Sequence, residues 1–185
     1  KIQEQIHFAL ISPTDKRAML AHAKYCADNK IPFCFDPGQQ TTAFTPQELM
    51  RIIGQAKFVI GNDYEIKLLE QKTGWNTNEL LNHAEVVIMT LGEKGSLVIT
   101  KEQEFEISPC PPQSVDDPTG AGDAYRSGFF TAYGQGHDYQ TCGQVGAVAA
   151  SYAIEHYGTQ NHVFTKEEFA ARYEKTYGKP IELQM

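Results

Sequence analysis

The feature that most constrains this chain is the alternation of short apolar runs with amphipathic segments. "IHFALIS" (6–12), "IPFCFD" (31–36), "KFVIG" (57–61) and "EVVIMTL" (85–91) are of strand length and lack polar alternation. Strands that read as unbroken apolar runs are covered on both faces, as in a parallel sheet. Between them lie "TDKRAMLAHAKYCADN" (14–29), "TPQELMRIIGQA" (45–56) and "NDYEIKLLEQKTG" (62–74), with apolar residues near helical spacing. Strand, helix, strand at this rhythm predicts βαβ units. The expected fold class is α/β, a doubly wound and mostly parallel sheet flanked by helices.

Local signals punctuate the pattern. Thr45, Pro46 and Glu48 form a capping box with proline at the first helical position, and Asn62 caps the next helix. A short helix, "NTNELLNHA" (76–84), leads to the fourth strand. After Leu91 the rhythm changes, and "SLVIT" and "EFEIS", joined by "KEQ", predict an antiparallel hairpin. The last third is helical, over 120–136, 139–158 and 165–178. No repeat, low-complexity stretch or linker interrupts it, so residues 1–185 read as a single domain.

Composition excludes some partners. A net charge of −7 repels polyanions, which disfavours nucleic acid and anionic membranes. Cys26, Cys34, Cys110 and Cys142 are scattered without a CxxC pair, the pattern of a reduced, cytoplasmic protein. No apolar run approaches the roughly 18 residues of a membrane span. The start, "KIQEQIHFALISP", carries neither an initiator Met nor a signal-peptide pattern, so the chain is expected to be cut from something longer or processed.

In open parallel sheets, ligands sit outside the carboxyl ends of the strands. Four polar, glycine-bearing loops are expected at one such edge: Asp36-Pro37-Gly38-Gln39, Gly61-Asn62-Asp63-Tyr64-Glu65, Gly92-Glu93-Lys94-Gly95, and Asp116 to Asp123. In "DDPTGAGDAYRSG" (116–128), the small residues Gly120, Ala121 and Gly122 leave the first-turn N–H groups of a helix open to an anion. Asp123, one turn in, can accept a proton from a hydroxyl held nearby. A phosphate cradle beside a base suits phosphoryl transfer to an alcohol. A stripe of Ala121, Tyr125, Gly128, Phe129 and Ala132 anchors the helix. The alternative is that Gly-Ala-Gly only lets the helix pack closely on the sheet.

The other candidates also read two ways. Asn62 and Glu65 are equally a cap and its capping-box partner, and "GEKG" is equally a tight turn. Asp36 faces the site or closes an Asx-turn. Arg126 touches phosphate or, more usually, is a solvated arginine on an amphipathic helix. Trp75 reads as a packing residue in a loop, and the six histidines form no ligand pattern.

"DPTGAGDAYRSGFF" (117–130) resembles the carboxy-terminal signature of the ribokinase, or PfkB, carbohydrate and nucleoside kinases. "GNDYE" (61–65) is similar to the family's Asn-x-x-Glu motif, "TLGEKG" (90–95) to its Thr-x-Gly-x-x-Gly, and "YGTQN" (157–161) to a nucleotide-side loop. With "DPGQQ" and "KTGW" added, the combination looks closest to bacterial adenosine kinases of this family. The resemblance implies a ribokinase-like fold with the amino-terminal portion and lid absent, so that 1–185 is a domain truncated at its amino-terminal side. It further implies ATP-dependent phosphorylation of a nucleoside or sugar hydroxyl. Asp123 would be the base and Gly120, Ala121 and Gly122 the anion hole. Thr90, Gly92, Gly95 and Gly158 would lie along ATP, and Asn62 and Glu65 would organise Mg²⁺ through water. Asp117 would help hold a potassium-like ion, K⁺, or else simply form a turn. A sugar kinase of ribokinase or fructokinase type is the first alternative, and a non-catalytic nucleotide-binding domain the second. A homodimer stays open, and the chain alone is expected to bind nucleotide weakly and phosphorylate little.

Overall fold

The computed structural model describes residues 5–184; residues 1–4 and 185, the ends of the expected domain span, lie outside the described residues. Its strands are β1 (Ala9–Ile11), β2 (Phe33–Phe35), β3 (Phe58–Asn62), β4 (Val86–Thr90), β5 (Ser96–Ile99) and β6 (Glu104–Ile107). They form one six-stranded sheet in that order. The helices are α1 (Lys16–Asp28), α2 (Pro46–Ile53), α3 (Asp63–Thr73), α4 (Thr77–Leu80), α5 (Ala121–Gly134), α6 (Tyr139–Ile154) and α7 (Lys166–Tyr177). The chain divides into two compact units, Lys1–Thr90 with Ile99–Glu104, and Leu91–Val98 with Phe105–Met185.

In the first unit β1, β2, β3 and β4 pair in parallel, each with the next. Phe33, Cys34, Phe35, Phe58, Val59, Val87 and Ile88 are fully buried, the condition the unalternating runs predict. The helices supply Met19, Ala23, Leu49, Ile52, Ile53, Ile66 and Leu69 to this core. Side chains cap the starts of α1, α2, α3 and α4. Asp15 accepts from Arg17 N–H at 3.0 Å, while Thr45–Glu48, Asn62–Glu65 and Asn76–Glu79 form capping boxes.

One element escapes the periodicity argument: "GQQTTA" winds into a 3-10 helix, Gly38–Ala43, held by the Thr41 hydroxyl donating to Gly38 O at 2.7 Å. Its exit is tied to α3 by Lys72, whose ammonium donates to the carbonyls of Thr41, Thr42 and Phe44 at 3.0, 2.8 and 2.6 Å. The helix expected over 76–84 is shorter, with α4 ending at Leu80. β1 is likewise shorter than its apolar run.

In the second unit α5 and α6 cross closely. A Cβ on Gly128 would lie 2.8 Å from Val145 O, so the crossing requires glycine there. Tyr125 shares a buried 2.7 Å hydrogen bond with Ser96, and burial raises its phenol pKa strongly. On α7, Arg172 donates to both oxygens of Glu155 at 2.7 and 3.1 Å and lies 3.6 Å from the Tyr152 ring centre. Glu155 also accepts from the Gln113 N–H at 2.6 Å, which fixes the segment leading to α5.

Candidate active site

The carboxyl ends of β2, β3 and β4 share one edge of the first unit because these strands run parallel. Asn62 ends β3 and faces Thr90, the last residue of β4, as its register partner. Asn62 Oδ1 accepts from the Glu65 N–H, and Glu65 Oε2 accepts from the Asn62 N–H, both at 2.8 Å. The cap reading of this pair is thus realised. Oxygen donors at an exposed corner, with only one Glu65 oxygen committed to the cap, fit a magnesium ion held through water. Asp36, by contrast, is fully buried, and its backbone N–H donates to Ile11 O at 3.0 Å.

In the second unit, Gly92 and Gly95 frame a 3-10 turn closed by Leu91 N–H to Gly95 O at 2.8 Å. A Cβ on Gly95 would overlap the carbonyl oxygen of Ile107, so the turn lies directly on β6.

The start of α5 is built differently from a capped helix. Its N-cap, Gly120, is left-handed at φ 86° and offers no side-chain acceptor to the first turn. The space a Cβ would take on Gly120 is 3.0 Å from Thr159 Cα, so segment 157–161 passes against the helix start. Asp117 fastens the two together. Its Oδ1 accepts from Thr119 N–H at 2.9 Å and its Oδ2 from Gly158 N–H at 3.0 Å. These bonds, with the Thr119 hydroxyl foremost, hold its carboxyl below the ordinary carboxylate range. The turn reading of Asp117 is therefore realised, and the same carboxylate brings Gly158 beside the start of α5. Asp123, in the first turn, has a side chain 74% exposed.

Arg126 departs from the solvated-arginine reading. Its side chain is only 15% exposed, and its Nη1 donates to Asp123 Oδ1 at 3.2 Å. The signal was available in the i, i+3 spacing of Asp123 and Arg126. The stripe Tyr125, Gly128, Phe129 and Ala132 is buried as expected, while Ala121 is half-exposed. Trp75 does not pack alone: its ring stacks on His83 at 4.0 Å. A cleft of about 760 Å³ lies beside α6 and α7, lined by Pro109, Tyr152, Glu155, His156 and Arg172 among others. None of the motif residues lines it.

Against known proteins, the profile of the pfkB family carbohydrate kinases matches residues 2–166. The chain belongs to the pfkB family. A nucleoside kinase of Methanocaldococcus jannaschii is 34% identical over 165 residues, covering 89% of this chain and 54% of that protein. The structure of Burkholderia thailandensis nucleoside kinase in complex with ADP-inosine matches with a TM-score of 0.96 at 32% identity, over 99% of this chain and 57% of that one. A Thermotoga maritima ribokinase, 20% identical with a TM-score of 0.72 over 90% of this chain and 56% of that one, shares the fold. This pfkB chain spans about half the length of the curated relatives it matches. Among its described residues, no helix is long and apolar enough to cross a membrane.

Proposed function

We propose that the protein transfers the terminal phosphoryl group of ATP to a primary hydroxyl of a nucleoside, adenosine in the first instance. The observation that carries this reading is the start of α5, where Gly120 leaves the first turn without a side-chain cap and Asp123 stands exposed beside it. Two findings support the acceptor class. A relative at 34% identity is a nucleoside kinase, and the Burkholderia enzyme was captured with ADP-inosine.

In this reading Asp123 accepts the hydroxyl proton as that oxygen bonds to the γ-phosphorus. The bond from phosphorus to the bridging oxygen breaks, and ADP leaves. The N–H groups of Gly120 and Gly122, and of Ala121 once it releases the Pro118 carbonyl it meets at 3.2 Å, stabilise the charge on the phosphoryl oxygens in flight. Asn62 and Glu65 would hold a hydrated Mg²⁺, which would supply charge neutralisation on the phosphates. Thr90, Gly92, Gly95 and Gly158 line the nucleotide. Asp117 holds segment 157–161 against the start of α5, and it would also help hold K⁺, which assays in potassium and in choline salts would test.

Asp123→Asn decides the reading. Turnover should fall about 10²- to 10⁴-fold, the scale of a lost general base, while ADP binding by calorimetry stays within twofold. Retained turnover would refute Asp123 as base, whereas ADP binding that survives with no turnover in the wild type would favour a nucleotide-binding role. The family's carbohydrate kinase description favours a second reading, transfer to a sugar. A panel of adenosine, inosine, ribose and fructose separates the two by relative kcat/KM.

A further inference from the structure

The least expected side chain near the anion-hole sequence is Arg126. A cation belongs at a helix carboxyl end, where the dipole is negative. Here the guanidinium folds back one turn toward the positive end of α5. It reaches Asp123 at 3.2 Å and is sheltered to 15% exposure, whereas the Asp123 side chain is 74% exposed. Gly122 makes room for it: a Cβ on Gly122 would lie 3.0 Å from Arg126 Nη1 and 3.8 Å from its Cζ. Thus the missing side chain at Gly122 also leaves room for the arginine.

We infer that Arg126 is the positioning residue for Asp123. Its half-buried guanidinium is the fixed partner, and the exposed carboxylate is the group it orients. An aspartate at the surface of a helix otherwise samples several χ1 rotamers. Holding one of them keeps the carboxylate where an incoming hydroxyl must find it, and small displacements of a reacting group cost rate steeply. Arg126 stays protonated throughout, and the proton taken from the hydroxyl goes to Asp123. Gly122 and Arg126 form a pair, since a Cβ at 122 would require the guanidinium to give way by a few tenths of an ångström. The inference rests on the kinase reading above for its consequence in rate, and on geometry alone for the orientation.

The test uses the 185-residue chain with Arg126→Met, Arg126→Lys and Asp123→Asn. In the wild type, three-bond couplings should report a single Asp123 χ1 rotamer, and Arg126→Met should give averaged couplings. With ATP, Mg²⁺ and adenosine, Arg126→Met should lower kcat about 10- to 100-fold while KM for ATP stays within twofold, and Arg126→Lys should recover part of the loss. Averaged couplings already in the wild type, or a kcat within twofold in Arg126→Met, would overturn the inference. A rise in KM for ATP with kcat unchanged would also overturn it, because that is the mark of a phosphate contact. If Asp123→Asn turns over normally, the base assignment of the kinase reading fails; where the chain, which spans about half the length of its relatives, forms too little ADP to compare, the couplings decide whether Arg126 orients Asp123.

Discussion

Gly120 carries two separate demands. Its φ of 86° is costly for any residue with a side chain, and the site of a Cβ is 3.0 Å from the Thr159 backbone. Gly120→Ala should therefore destabilise the chain by about 1–3 kcal/mol in urea titration, the usual scale of forced backbone strain. It should also weaken ADP binding by pushing segment 157–161 away from α5. Part of this was legible in advance. The run of small residues before Asp123 announced a bare helix start, since which N–H groups lie open depends on neighbours in sequence. That Gly122 answers to Arg126, and Gly95 to the Ile107 carbonyl, was not legible, because both depend on where folded groups come to rest.

At the scale of elements, the caps at Thr45 and Asn62 formed as written, since a capping box involves only residues three apart. Lys72 is the opposite case, for its three carbonyl partners lie 28 to 31 residues upstream. Replacing it leaves polar groups of the 3-10 exit without their cation. Lys72→Met should cost about 1–3 kcal/mol by thermal or urea denaturation, and Lys72→Arg should cost less. A further pairing links α1 to α2: Lys16 lies 2.7 Å from Glu48 and, with the Thr45 N–H, holds the Glu48 carboxyl at about 2. The folded value is below the ordinary 4.5, so this contribution is present above about pH 4.5 and lost as the pH falls toward about 2. The stability gap between wild type and Glu48→Gln should be constant from pH 7 to 5 and close at lower pH in melts at matched ionic strength.

Across the whole molecule, all four cysteines are buried thiols outside any disulfide. Burial, with Asp138 adding to it, pushes the Cys142 thiol up to about 12, so it carries almost no thiolate near neutrality. Ellman's reagent should find almost no fast thiol in the native chain and four in guanidinium. Rapid modification of one thiol in the native state would show that a buried segment opens. The sequence by itself determined the fold class, the order of strands and helices, the capped helix starts and the motifs of the pfkB family. Each follows from periodicity or from residues within a few positions of one another. Only the tertiary structure decided the burial of Asp36, the carbonyl cage around Lys72, the clasp of Asp117 on Gly158, and the tie of Glu155 to Arg172 and Gln113. Except for Asp36, these contacts join residues far apart in the chain, and burial itself depends on what the rest of the chain lays over a residue. No local pattern encodes such meetings, because they exist only once the core has brought the segments together.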